Sequence, residues 1–313
     1  MSDKYLVTGA AGFIGSNLIE QLIKNGEDVV ALDNFSTGKK ENIDLFRDKI
    51  KFVEGDIRDL DLCKELCQGC DYVLHQAAMG SVPRSVEDPL GSNDNNVTGS
   101  LNMLVAARDA KVKKFVYAAS SSAYGDTRTL PKIETMQPAP LSPYAVTKYV
   151  NELYAKVFND TYGLATVGLR YFNVFGKRQD PDGAYAAVIP KFVKSILNNE
   201  PPHILGDGGQ TRDFTFIDNV VQANLLACKA SAGANGEVMN IGAGGRISLN
   251  DLTMKMLTLL NSDLSPTYGA IRAGDVRDSQ ADISKAQKLI GYDPEVDALT
   301  GLELALDWYR DNL

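Results

Sequence analysis

The sequence predicts an α/β protein: a doubly wound parallel sheet joined to a smaller mixed α/β lobe. Three observations carry this expectation. Strand-type and helix-type segments alternate five times between Lys4 and Ala118. The first of these turns holds three glycines, Gly9, Gly12 and Gly15, each three residues from the next. Beyond Pro201-Pro202 the segments become shorter and more mixed, yet no linker rich in Pro, Gly or Ser marks an independent module.

The opening strand is Lys4-Tyr5-Leu6-Val7, and Phe13, Ile14, Leu18, Ile19, Leu22 and Ile23 then recur at helical spacing. The glycines therefore sit between a strand and a helix. Gly9 allows the tight turn, Gly12 lets backbone N–H groups approach a pyrophosphate, and Gly15 lets the helix lie against the strand. The second strand, Asp28 to Asp33, ends in a carboxylate 18 residues after Gly15. That is where an acid hydrogen-bonds the adenosine ribose hydroxyls, and its charge repels a 2′-phosphate, so NAD is favoured over NADP. Lys39 and Lys40 are the basic residues close by. Asn34-Phe35-Ser36-Thr37-Gly38 forms a polar loop at the strand's carboxyl end, where such sheets bind ligands.

Ile50 to Val53 is a third strand, followed by Gly55-Asp56-Ile57. Asp56 either accepts from the adenine amino group or caps the helix that begins near Asp59. Asp71 to His75 is the fourth strand, leading into Gln76-Ala77-Ala78-Met79-Gly80-Ser81, whose small residues let a ligand approach the backbone. Asp88-Pro89 starts a long helix to about Ala110, with proline in its first turn. Lys114 to Ala118 is the fifth strand.

Two later stretches carry chemistry. Ser120-Ser121-Ser122-Ala123-Tyr124-Gly125 follows the fifth strand, and Ser142-Pro143-Tyr144 opens a helix to about Tyr162. Tyr144 and Lys148, four apart, share one face of that helix. A lysine ammonium beside a phenol favours the phenolate and lowers the tyrosine pKa towards that of a general base. A serine at the strand end could bond the same substrate oxygen and relay its proton.

With 44% hydrophobic and 23% charged residues, the 313-residue chain has an ordinary globular composition. Its 32 basic and 40 acidic residues give a net charge of −8, which argues against a nucleic-acid or anionic-membrane partner. No apolar run reaches transmembrane length and no signal segment opens the chain, so a cytoplasmic location is expected. Cys63, Cys67, Cys70 and Cys228 read as packing thiols, and His75 and His203 are too scattered for a metal centre. No metal is expected.

The glycine pattern, the acid-ended second strand, the Ser120 run and Tyr144-x-x-x-Lys148 together resemble the extended short-chain dehydrogenase/reductases acting on nucleotide sugars. The resemblance covers essentially the whole chain. Asp33 to Gly38, Leu169 to Gly176 and Gly206 to Asp213 are similar to segments of UDP-hexose 4-epimerases, those acting on UDP-N-acetylglucosamine above all. It implies an NAD-dependent 4-epimerase with Ser120, Tyr144 and Lys148 as its catalytic set and a homodimeric assembly. By the same resemblance Phe13, Ile14, Ser36, Thr37, Ile57, Gln76, Ala77, Ala78, Asn95 and Tyr171 touch the cofactor. Asn173, Arg212 and Arg272 reach the UDP phosphates, and Asp275 a ribose hydroxyl. Gly80, Ser81, Ser122, Ala187, Val188 and Ser279 fall where it places pocket walls. Relatives confined to UDP-glucose often carry a tyrosine at the place of Ser279. Related 4,6-dehydratases carry an Asp-Glu pair where this chain has Ser121-Ser122, and a decarboxylase needs an arginine or acid at the sugar carboxylate. A non-catalytic sugar-nucleotide binder is the alternative from another class.

The remaining elements are a helix from about Ala184 to Asn199 interrupted by Pro190, another reaching Ala230, a strand Glu237 to Asn240, and a last helix to Leu313. Gly242 to Gly245 reads as a turn. Residues 1–173 and 213–239 are expected to form the nucleotide-binding part, and 174–212 with 240–313 the substrate lobe.

Overall fold

A computed structural model describes residues 2–182, 187–271 and 276–312. The chain begins β1 (Lys4–Thr8), α1 (Phe13–Lys24), β2 (Asp28–Asp33), α2 (Lys40–Asp44), β3 (Lys51–Glu54), α3 (Leu60–Cys67) and β4 (Tyr72–His75). Next come α4 (Val82–Glu87), α5 (Pro89–Asn93), α6 (Gly99–Ala110), β5 (Lys114–Ser120), α7 (Pro143–Tyr162) and β6 (Thr166–Tyr171). The middle holds β7 (Val174–Phe175), α8 (Val188–Leu197), β8 (His203–Leu205), β9 (Thr211–Arg212), β10 (Thr215–Phe216) and α9 (Ile217–Lys229). The end holds β11 (Glu237–Ile241), β12 (Ile247–Ser248), α10 (Leu249–Leu259), β13 (Thr267–Gly269), α11 (Ser284–Ile290) and α12 (Ala298–Asn312).

Seven strands form one parallel sheet in the order β3-β2-β1-β4-β5-β6-β11. The doubly wound α/β architecture read from the sequence is the one observed. Strand order reverses at β1, which lies between β2 and β4, so a crevice opens beyond the carboxyl ends of these strands. Alternate residues serve opposite faces: Leu6, Val30, Val73 and Phe115 pack under α3 and α6, while Val7, Ala31, Leu74 and Val116 pack against α1 and α9. The second core runs on without a break to Phe175, Phe192, Phe216, Leu252 and Tyr309. Burial therefore helps to tie the C-terminal region to the sheet.

Three local differences from the sequence reading have simple causes. Pro190 does not interrupt a helix; it occupies the first turn of α8, where its missing N–H has no intrahelical partner to lose. The start expected at Ala184 lies outside the described residues. The long helix after Asp88 is not uniform, because a π-turn at Asp94–Thr98 separates α5 from α6. β6 was not among the strands read from local pattern. It carries Arg170, 4% exposed, whose guanidinium donates to both carboxylate oxygens of Glu152 on α7, at 2.8 and 2.6 Å. The four cysteines are buried thiols.

Candidate active site

The floor of the crevice is the β1–α1 turn. Gly9 takes φ +67, and a Cβ there would meet Ala77 N at 2.7 Å. A Cβ at Gly15 would sit 2.1 Å from Gly9 O, so only glycine lets α1 approach β1 this closely. Gly12 caps α1 without a side-chain bond, and no acidic residue stands in the first turn. The first N–H groups of the helix are thus left for an anion, reinforced by the helix dipole. Phe13 and Ile14 line a cleft of about 740 Å³ together with Asp33 to Lys39, Ile57, Gln76 to Ala78, Gly80, Ser81, Asn95 and Ala187. A bare-backbone turn, an uncapped helix start and a carboxylate at the next strand end fit a dinucleotide.

Asp33 is 8% exposed, and its carboxylate accepts from Ala11 N at 2.9 Å and Phe35 N at 2.7 Å. Burial raises its pKa, and these backbone bonds oppose the rise. Asn34 donates to Asp56 at 2.8 Å. Of the two roles open to Asp56, capping falls to Asp59, which accepts from Leu62 N. Asp56 is instead gripped by Arg58, which with burial opposing holds its carboxyl down to about 2.

The chemistry-bearing side chains converge at the end of β5. Ser120 Oγ accepts from Ser122 N at 3.2 Å and from Ser122 Oγ at 2.8 Å. Ser142 caps α7 through Ala145 N, and Pro143 fits its first turn. Tyr144 N donates to Ser85 Oγ at 3.0 Å, which fastens the start of α7 to α4. Lys148 is buried, 5.9 Å from the Tyr144 ring centre, and its Nζ donates to Ala118 O at 2.9 Å. The electrostatics differ from the sequence expectation. Burial raises the Tyr144 pKa, opposed by the Ser120 hydroxyl, and burial lowers Lys148 to about 8. Desolvation of both groups outweighs the attraction between them, because the ammonium points at a carbonyl rather than at the phenol oxygen.

A second group gathers after β6, around residues 211–213 and 277–279. Asn173, at φ +30, donates to Asp213 O at 3.0 Å and to Ser279 Oγ at 3.4 Å. Ser279 N donates to Thr211 O at 3.1 Å, and Arg212 donates to Arg277 O at 3.0 Å. Asn173, Arg212 and Ser279 are thus neighbours. Ala187 caps α8, with Val188 as its first residue. Arg272 and Asp275 lie outside the described residues. Tyr171, like Ser120, Tyr144 and Lys148, is not among the residues lining the cleft of about 740 Å³. Its hydroxyl is 3.2 Å from Gln76 Oε1 and accepts from Asn224 Nδ2 at 2.8 Å, so it braces Gln76, which does line it. Among the described residues, no cluster of His, Cys, Asp or Glu could hold a metal ion.

Sequence reasoning missed two groups. Asp213 is fully buried and accepts from Ala243 N, Gly244 N and Ala281 N at 2.9, 3.2 and 3.0 Å. Burial pushes its carboxyl up to about 6 against these three donors. Arg178, Gln179 and Asp180 also line the cleft. The side-chain partners of Asp180 and Arg178, Lys39 and residues 16–20, are distant in the chain, so no local pattern announced them.

Residues 5–242 match the family described as NAD dependent epimerase/dehydratase. The chain is 42% identical, over 98% of both chains, to a putative UDP-glucose 4-epimerase of Methanocaldococcus jannaschii. It superimposes with TM-score 0.95, at 39% identity over 100% of both chains, on a UDP-N-acetylglucosamine 4-epimerase from Methanobrevibacter ruminantium M1, solved with UDP-N-acetylmuramic acid. A UDP-glucuronic acid 4-epimerase from Bacillus cereus, solved with UDP-glucuronic acid and NAD, gives TM-score 0.92 at 35% identity over 99% of this chain and 100% of that one. The glycine turn, the acid-ended second strand and the Ser120–Tyr144–Lys148 group thus stand in a chain that belongs to the NAD dependent epimerase/dehydratase family.

Proposed function

We propose that this protein is an NAD-dependent 4-epimerase of UDP-sugars whose preferred pair is UDP-GlcNAc and UDP-GalNAc. The observation that carries the reaction class is the meeting of Ser120, Tyr144 and Lys148 at the carboxyl end of β5, in the same sheet whose β1–α1 turn presents a helix start without a side-chain cap. NAD, when bound, takes up hydride from the sugar C4 and gives it back to the opposite face. Backbone groups of Gly9, Gly12, Phe13 and Ile14 hold its pyrophosphate, Asp33 its adenosine ribose and Lys148 its other ribose. Tyr144 Oη removes the proton from the sugar 4-hydroxyl and later restores it. Ser120 fixes that oxygen, and the Ser122 hydroxyl in turn orients Ser120. The flat 4-keto sugar turns over between the two transfers. Arg212, Asn173 and Arg272 hold the diphosphate. The dehydratase reading lacks support, because Ser121-Ser122 offer no carboxyl for eliminating water. Residues 1–173 with 213–239 act as the nucleotide part, and 174–212 with 240–313 as the sugar part.

Small walls support the choice of sugar. Ser279 stands beside Asn173, and a Cβ added at Gly80 would meet nothing within 4 Å. An acetamide at C2 needs such space both to bind and to turn. The test offers UDP-GlcNAc, UDP-Glc and UDP-glucuronate with NMR detection of the 4-epimers. Ser279→Tyr should lower turnover of the acetylated pair by about tenfold or more while largely sparing the plain pair. A wild type that prefers UDP-Glc or UDP-glucuronate rejects the acetylated assignment.

A homodimer is supported by the apolar side chains that α4, α5 and α7 leave exposed side by side: Val86, Leu90, Val146, Leu153 and Val157. Sedimentation of wild type and Leu153→Glu tests it; a monomeric wild type removes the idea.

A further inference from the structure

The adenosine end of the cleft contains more charge than the single carboxylate of Asp33. Lys39 belongs to the loop after β2, and its backbone N–H donates to Ala11 O at 3.0 Å, which holds it against the glycine turn. Its ammonium reaches across to Asp180 Oδ1 at 2.8 Å. Asp33, Lys39 and Asp180 all line the same cleft. Two further cations of this region are engaged by carboxylates. Arg58 pairs with Asp56 at 2.8 Å and Asp94 at 3.3 Å, and Arg178 with Glu20 at 2.6 Å.

A lysine six residues beyond the acidic strand end is the kind of group that would welcome a phosphate on the ribose. Here its charge is spent on Asp180. The two side chains are 45% and 44% exposed, so the pair contributes little to holding the fold together. Its effect lies in the local field: Asp180 neutralises the cation that would otherwise favour a phosphate in this cleft. Asp180 also stays ionised, since the Lys39 ammonium and the Asp182 N–H outweigh the effect of burial.

We propose that Asp180 is a second determinant of dinucleotide selectivity, excluding a 2′-phosphate by occupying Lys39. The inference rests on the dinucleotide reading above and concerns only which dinucleotide is accepted. Asp33 repels the 2′-phosphate directly; Asp180 withdraws the cation that would offset that repulsion.

The test is direct binding of NAD and NADP to the full-length protein stripped of nucleotide, followed by calorimetry. Chromatography of nucleotide released on denaturation gives a second readout. Asp180→Asn should raise the ratio of NADP to NAD affinity about three- to tenfold. Lys39→Gln should lower it, and Lys39→Gln combined with Asp180→Asn should cancel the gain. Asp180→Ser repeats the test with a different side chain. An unchanged ratio in both Asp180 variants, or a gain that survives without Lys39, overturns the proposal while leaving the NAD assignment intact. A wild type that binds neither nucleotide overturns the dinucleotide reading as well.

Discussion

The two regions that face each other across the crevice are held together by different means. On the nucleotide side, seven strands share a continuous ladder of backbone bonds, and the glycine turn is fixed by β1, β2 and β4 on either side. On the other side, the described strands form two-stranded pieces, β8 with β13 and β9 with β12, while β7 with β10 bridges the two parts. Beyond the apolar core they share, the loops around those pieces are tied by side chains bonded to distant backbone. Asp213 gathers residues 243, 244 and 281, and Asn240 donates to Lys132 O and Asp282 O. Asp278 accepts from Thr211 N. A ladder distributes its load over many weak bonds, whereas a staple concentrates it in one residue. The first region should therefore lose function without losing structure, and the second should lose both together.

The largest expected effect separates function from structure on the ladder side. Tyr144→Phe should cut turnover by about a hundredfold or more while leaving the melting temperature and the bound nucleotide in place. A near-native rate, or a large drop in melting temperature, would break the contrast. On the staple side, Asp213→Ala leaves three buried N–H groups without their acceptor. It should cost about 3 kcal/mol or more in urea unfolding, with sugar-nucleotide binding lost in step.

Acid sharpens the same point. Burial pushes the Asp213 carboxyl up to about 6 from the ordinary 3.8 of an aspartate, so between these values the folded chain binds a proton that the unfolded chain does not. Stability from this group therefore rises as pH falls from 6 towards 4. Compared with Asp213→Asn, the wild type should gain about 2–3 kcal/mol between pH 7 and pH 4. A constant difference across that range would show that the three N–H donors fully offset its burial. The smallest effect is expected at the exposed pair of Lys156 and Asp160, 2.8 Å apart on α7. Lys156→Ala should leave both the melting temperature and the rate within error.

The same contrast explains what the sequence made legible. Strands β1 to β5, the glycine turn and the Ser142 cap are written in neighbouring residues, because alternation, capping and turn chemistry act over a few positions. The Ser120, Tyr144 and Lys148 group followed from helical spacing and strand ends. Arg170 obscured β6 because its charge is satisfied by Glu152, 18 residues earlier. Asp213 was unreadable for a similar reason: its partners lie 30, 31 and 68 residues away. The Lys39–Asp180 pair spans 141 residues. A residue whose role is to join distant segments leaves no periodic trace.

The π-turn at Asp94–Thr98 acts on the site as a change of phase. One surplus residue in a helix turns everything on one side of it by about 100° relative to the other. With that offset Asn95 lines the cleft, while Asn96 accepts from Met79 N at 2.7 Å and donates to Thr147 Oγ1 at 3.0 Å. Two adjacent asparagines thus serve different walls, one the nucleotide and one the start of α7. Shortening the turn by one residue would restore an even winding, swing the segment carrying Leu90 about the axis, and pull those two walls out of step.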